Sequence, residues 1–298
     1  MNILITGGSG LIGRALIMAL KADNIIVLTR HPEKSAKKLP SNIKLITSLN
    51  NVDFNSLDVV VNLAGEAIVD KRWTPAQKAR ICQSRWQTTQ HLVEKIQAAT
   101  SPPQCFVSGS AIGFYGRQND QTIDENYQNI HPEFSHEICQ QWEQIAQQAS
   151  SEKTRVCLLR TGIVLAKQGG ALKKMLPAFK FGLGGPIANG QQYMSWIHLD
   201  DMVAIILAAI YQPELSGAIN ATAPMPVTNQ EFSETLSTTL NRPCLFRVPA
   251  FMLRLIMGES ADLLLYGQNV LPRKLLNNHF KFQYPSLQIA LKQLLIKI

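Results

Sequence analysis

The chain begins with an apolar run, Asn2-Ile3-Leu4-Ile5-Thr6, that leads directly into Gly7-Gly8-Ser9-Gly10-Leu11-Ile12-Gly13 and then into a helix-forming stretch. Gly8, Gly10 and Gly13 match the G-x-G-x-x-G spacing, which gains meaning only between a strand and a helix, as here. Glycine permits positive φ and close backbone approach, while a helix N-terminus presents free N–H groups and the positive end of its dipole. Together these suit a pyrophosphate, so dinucleotide binding is expected at Gly7, Ser9, Gly10, Leu11, Ile12 and Gly13. The competing reading is a glycine-rich strand-to-helix turn that holds no ligand.

The rest of the first half alternates short β-rich runs with helical ones. Strands are expected at Asn2 to Thr6, Ile25 to Thr29, Val59 to Asn62, Cys105 to Ser108 and Val156 to Thr161, and helices at Ile12 to Ala22, Ala76 to Ala98 and His136 to Ser150. Successive strand–helix units with right-handed crossovers predict an α/β fold, a doubly wound parallel Rossmann sheet. Glycines at 169, 170, 182, 184, 185 and 190 then break the pattern. Residues 169–200 are therefore expected to contribute to a substrate lobe beyond the carboxyl edge of the sheet. Met202 to Tyr211 reads as a buried helix, Ala218 to Thr222 as a returning strand, and Asp200 or Asp201 as the cap of that helix. The expected division is a dinucleotide-binding domain over 1–225 and a small, mostly helical C-terminal module over 226–298.

The second of these strands ends in Leu28-Thr29-Arg30-His31, where NAD-specific sites place an acid for the ribose hydroxyls. No carboxylate is present, and Arg30 can grip a 2′-phosphate in a charge-assisted contact. Thr29 and Arg30 thus point to NADP(H) over NAD(H), with a solvated loop arginine as the alternative. After Val59 to Asn62, the small residues of Leu63-Ala64-Gly65 let the chain pass close to an adenine or ribose.

Composition narrows the partners. With 46% hydrophobic and 17% charged residues the chain can bury a large core. The formal charge of +8 is dispersed, apart from a crowding of Lys71, Arg72, Lys78, Arg80 and Arg85, and no aromatic stacking pattern accompanies it. A small-molecule substrate is expected, and no nucleic acid. The longest apolar run, Met202 to Ile210, is too short to span a bilayer, so no membrane association is expected. Five cysteines without Cys-x-x-Cys spacing suggest neither zinc nor a disulfide framework. They read as reduced thiols of a cytoplasmic protein with no metal site, for which a homodimer is an admissible assembly.

Several motifs carry a resemblance. Thr6 to Gly13, Asn62-Leu63-Ala64-Gly65, Ser110-Ala111-Ile112-Gly113-Phe114-Tyr115-Gly116 and Trp196-Ile197-His198-Leu199-Asp200-Asp201 resemble the extended short-chain dehydrogenase/reductases of the nucleotide-sugar epimerase type. Gly65-Glu66-Ala67-Ile68, Lys71-Arg72-Trp73, Ser84-Arg85, Gly182 to Pro186 and Gly267 to Pro272 are similar to an atypical branch, the epimerase-family proteins. The resemblance runs from residue 1 to the end, including a small C-terminal module. It implies that Arg85 lies against the cofactor and that the main chain near Val164 lines the nicotinamide end. It also implies a substrate that is anionic or nucleotide-linked.

The acid–base half of that superfamily is missing. Its Tyr-x-x-x-Lys pair lets a lysine lower a tyrosine pKa for proton exchange. None of the six tyrosines here has a lysine four positions later. If Glu143 is matched to the glutamate that follows the motif, Ser135 and Cys139 occupy the two positions, and Ala111 occupies that of the usual catalytic serine. Ser110, Tyr193 and His136 remain as candidate proton donors, each with a structural alternative. The expected function is an NADP(H)-dependent oxidoreductase or epimerase-like protein with a nonstandard site. The rival reading is a non-catalytic NADP(H)-binding regulator or sensor.

Overall fold

The computed structural model describes residues 1–20 and 24–296. In chain order the strands are β1 (Asn2–Thr6), β2 (Asn24–Leu28), β3 (Lys44–Ile46), β4 (Val59–Asn62), β5 (Cys105–Ala111), β6 (Thr122–Ile123), β7 (Arg155–Thr161), β8 (Ile163–Ala166), β9 (Tyr193–Met194), β10 (Trp196–His198), β11 (Gly217–Ala221), β12 (Val227–Thr228) and β13 (Asn269–Val270). The helices are α1 (Leu11–Ala19), α2 (Pro32–Ala36), α3 (Pro75–Ala98), α4 (Phe134–Gln147), α5 (Gly170–Lys180), α6 (Leu199–Tyr211), α7 (Asn229–Thr239), α8 (Ala250–Met257), α9 (Asp262–Leu265), α10 (Arg273–Asn277) and α11 (Leu287–Leu295).

Seven strands form one all-parallel sheet in the order β11-β7-β5-β4-β1-β2-β3. The order reverses between β1 and β4, and in such sheets the crevice at the carboxyl ends of these strands is where ligands bind. Period-two alternation fills both faces. Ile3, Ile5, Val59, Val61, Val107 and Leu159 join the core shared with α1 and α6. Leu4, Val60, Phe106, Val156 and Leu158 join the opposite core, against α3 and α4. Strands buried on both sides read as continuous apolar runs, which is why Val59-Val60-Val61 was recognisable.

Three details depart from expectation. β3 was not foreseen, because Lys44-Leu45-Ile46 is too short to show a period and is held only at the sheet edge beside β2. β5 continues past Ser108 to Ala111, supported by pairing with β7 as far as Thr161. The first helix was expected to reach Ala22, whereas α1 ends at Ala19 with Leu20 as its C-cap; Lys21 and Ala22 lie outside the described residues.

A smaller lobe forms around β8, β10, α5, α7 and α11, with Leu172, Phe179, Trp196, Phe232 and Leu291 in its own core. Neither Asp200 nor Asp201 caps α6. His198 does, its Nδ1 accepting from Asp200 N at 3.1 Å. Asp201 instead accepts from Gln283 N (2.8 Å) and Tyr284 N (2.9 Å), which ties the C-terminal tail to the start of α6. The tail also enters the main core, where Leu275 is fully buried. Among the described residues no helix is long and apolar enough to cross a membrane, and no three His, Cys, Asp or Glu side chains are grouped so as to hold a metal ion. All five cysteines are free.

Candidate active site

The glycine turn is fixed by contacts that only glycine allows. Gly7 sits at φ 68°, and a Cβ there would lie 2.4 Å from the Leu63 carbonyl oxygen, so the exits of β1 and β4 nearly touch. A Cβ at Gly13 would lie 2.5 Å from the Gly7 oxygen, which shows how closely α1 packs on the turn. Gly10 precedes α1 with no side-chain cap, and the first turn of the helix has no acidic residue. The free N–H groups of that terminus therefore face no competing carboxylate.

A chain of hydrogen bonds links this turn to Arg85. Thr6 Oγ1 donates to Asn62 Oδ1 at 2.6 Å and accepts from Ala64 N at 3.2 Å. Asn62 Nδ2 donates to Thr89 Oγ1 at 2.8 Å, and that hydroxyl donates to the Arg85 carbonyl at 2.7 Å. The Arg85 guanidinium donates to the Glu66 and Ile81 carbonyls at 3.0 and 3.1 Å and lies 5.4 Å from the Trp142 ring centroid. Burial pulls its pKa below the usual guanidinium range. It has no ion-pair partner among the described residues.

A cavity of about 580 Å³ opens over the turn and extends into the lobe. Of the residues expected at the cofactor, Gly7, Gly10, Leu11, Ile12, Gly13, Leu63, Arg85 and Val164 line it, whereas Ser9, Ala64, Gly65, Thr29 and Arg30 do not. Gly65 lies beneath the guanidinium, since a Cβ there would be 3.0 Å from Arg85 Cζ. Thr29 shares a 2.7 Å hydrogen bond with Ser35 and accepts from His31 N at 3.2 Å. Arg30 is exposed just after β2, the strand beside β1, without a hydrogen-bond or ion-pair partner among the described residues.

The candidate proton donors separate by environment. Ser110 lines the cavity, but its hydroxyl donates to Glu143 Oε1 at 2.6 Å. That carboxylate also receives Arg160 Nε and Nη2. His136 does not line the cavity, and its Nδ1 lies 2.6 Å from the Phe114 carbonyl oxygen, a structural hydrogen bond. Tyr193 lines the cavity half-buried, with no side-chain hydrogen bond among the described residues. Ser135 and Cys139 both face the cavity from α4, one turn apart. Burial pushes the Cys139 thiol up to about 12, so it stays protonated. Burial likewise raises Tyr115 to about 12, and its hydroxyl donates to Asn220 Oδ1 at 2.8 Å and accepts from Arg160 Nη1 at 3.0 Å.

Among the cavity residues that the sequence reading did not single out are Glu133, Asp262 and Gln192. They come from segments far apart in the chain, and nothing in their local patterns marks them.

The model of the NAD-dependent epimerase/dehydratase family matches residues 3–221. The chain belongs to that family. Residues 248–294 of this family member match a domain of unknown function, DUF1731. It is 39% identical over 304 residues to the chloroplastic epimerase family protein SDR39U1 homolog of Arabidopsis thaliana, covering 99% of this chain and 87% of the relative. It is 38% identical over 298 residues to the epimerase family protein SAR0825 of Staphylococcus aureus, with 99% of each covered. Its fold superposes on the human epimerase family protein SDR39U1 (isoform 2), solved with NADPH, with a TM-score of 0.92 at 31% identity, covering 100% of both chains.

Proposed function

We propose that this epimerase-family protein is an NADP(H)-dependent oxidoreductase or epimerase-like enzyme with a nonstandard proton donor. The observation that carries the reading is one continuous cavity, lined by the glycine turn, by Arg85, which has no salt-bridge partner among the described residues, and by Tyr193. The residues fit a nicotinamide dinucleotide. The first turn of α1 presents N–H groups with no acidic residue, and Arg85 adds positive charge with no salt-bridge partner among the described residues, which suits a pyrophosphate. Gly7, Ser9, Leu63, Ala64 and Gly65 would shape the close approach of backbone, and Val164 the nicotinamide end. Thr29 and Arg30 would discriminate for a 2′-phosphate, a choice supported by the human relative solved with NADPH.

When bound, such a cofactor exchanges hydride with a substrate carbon. The protein's part is to hold the substrate in the lobe, exclude water and move a proton. Tyr193 is the residue we assign to the proton, held on Oη, because Ser110 is committed to Glu143 and His136 is outside the cavity. The five free cysteines are in keeping with a reducing cytoplasm as the compartment.

Calorimetry with NADPH, followed by loss of deuterium from C4-labelled NADPH in a metabolite screen, tests this. Binding with label loss supports it, and binding without turnover of any metabolite sinks the enzyme. That second outcome belongs to the rival, a non-catalytic NADP(H)-occupancy sensor, which the buried Ser135 and Cys139 favour because they stand where the acid–base pair would be.

A further inference from the structure

The C-terminal module carries an apolar surface that the rest of the chain leaves open. In α8, Phe251, Met252, Leu255 and Ile256 follow a spacing that places them on one helix face, and all four are exposed, Leu255 by 75%. No residue of α8 is buried, and its main packing is against the turn at Gly258–Ala261. The surface continues onto two segments that run side by side just before α8. Val248 N donates to the Pro186 carbonyl and Ala188 N to the Val248 carbonyl, both at 2.9 Å, and Gly182 sits against the Pro243 ring. Phe181 and Leu183 on one segment and Leu245 and Phe246 on the other are exposed, Phe181 by 80% and Leu245 by 79%. None of these eight residues lines the cavity. The remaining exposed large hydrophobics, such as Met18, Met225 and Ile289, lie on different parts of the chain.

A large apolar side chain exposes roughly 200 Å² when fully open, so at these exposures the eight leave on the order of 1,000 Å² in water. Contiguous apolar patches on monomers rarely exceed about 300–600 Å². An eight-residue helix without a buried face is also marginal in water, because helices this short are held by tertiary packing. α8 therefore needs a cover that is present whenever the chain is. A second copy meets that condition, and about 800 Å² from each partner suffices for a stable interface. Charge does not oppose it: the one charged residue of α8, Arg254, lies 3.5 Å from Asp262 Oδ1, so two α8 faces can meet without opposing unpaired charges.

We infer that this face is the interface of a homodimer, in which a twofold axis sets α8 of one protomer against the same surface of its partner. Lys180 beside Phe181, and Arg242 beside Pro243, make an anionic lipid surface the rival occupant.

Sedimentation velocity of the full chain at about 50 µM is expected to give a particle of twice 33.1 kDa. Phe251→Gln combined with Leu255→Glu should raise the dimer dissociation constant at least about a hundredfold. Hydrogen exchange of the wild type locates the contact even if that variant does not fold. Between one tenth and ten times the measured dissociation constant, residues 250–257 should slow about fourfold, following the fall in the monomer fraction. A wild-type chain that stays monomeric overturns the inference, and its co-sedimentation with phosphatidylglycerol vesicles would assign the face to a membrane surface instead. A dimer that the folded double variant leaves intact overturns it too, as does one in which residues 250–257 exchange alike at both concentrations.

Discussion

Arg160 donates Nε and Nη2 to the two carboxylate oxygens of Glu143, at 2.9 and 2.8 Å, with the two residues only 6% and 7% exposed. The guanidinium also lies 3.5 Å from the Phe114 ring centroid and donates Nη1 to the Tyr115 hydroxyl. This buried pair joins β7 to α4 directly behind the cavity and holds the Ser110 hydroxyl against Glu143. The glutamate that follows the missing Tyr-x-x-x-Lys positions thus has a structural partner.

Removing one member of such a pair leaves the other charge uncompensated. Glu143→Gln is expected to cost about 3 kcal/mol of stability, read as a lower urea midpoint with an unchanged m-value. A midpoint equal to wild type would show that the pair is not holding α4 to the sheet.

Arg85 is the cation of the glycine-turn end, so Arg85→Ala should weaken NADPH binding by about ten- to a hundredfold, the range for a hydrogen bond to a charged group. Arg85→Lys should recover only part of that loss, because an ammonium lacks the planar fork. Calorimetry on folded variants measures both, and unaltered affinity in Arg85→Ala would remove the residue from the cofactor site.

Arg30→Ala should lower NADPH affinity about tenfold and leave NADH affinity as it was, because the contact expected there is to the 2′-phosphate alone. Equal losses for both cofactors, or none, would refute the discrimination.

His198 sets a pH dependence of stability. Its Nδ1 accepts from Asp200 N, Nε2 faces Gln293 Oε1 at 3.0 Å, and the Tyr284 ring centroid lies 3.8 Å away. Burial lowers its pKa below the ordinary 6.5, against the opposing pull of Asp200 and Asp201. The folded state therefore binds the proton less readily than the unfolded chain. The contribution is fully present above about pH 6.5 and is lost as pH falls from there through the folded-state pKa. Urea midpoints at pH 7.5 and 5.5 should fall more steeply in wild type than in His198→Gln, and parallel falls would contradict this.

Gly7→Ala should destabilise by more than about 1 kcal/mol, since the residue would be held at positive φ with its Cβ against the Leu63 carbonyl. Thermal unfolding without ligand reads this separately from any effect on binding.

The glycine turn, the strands β1, β4 and β7 and the family were legible because each is written in contiguous residues whose local physics suffices. A run such as Val59-Val60-Val61 suits a strand buried on both faces, and the turn's glycines allow the positive φ and close backbone approach that a tight strand-to-helix turn needs. The absence of Tyr-x-x-x-Lys was equally plain, being a matter of spacing. Other features depend on partners distant in the chain. Asp201 looked like a helix cap, and only the folded tail brings the Gln283 and Tyr284 N–H groups to its carboxylate. Glu133, Gln192 and Asp262 share one cavity only because α4, the approach to β9 and α9 converge on the lobe. Sequence by itself therefore determined the central strands of the sheet, its glycine turn and the loss of the usual acid–base pair, since local periodicity and backbone sterics set these. Tertiary structure alone decided which polar groups face the cavity and with what charge, since burial and pairing depend on contacts between segments that the sequence keeps far apart.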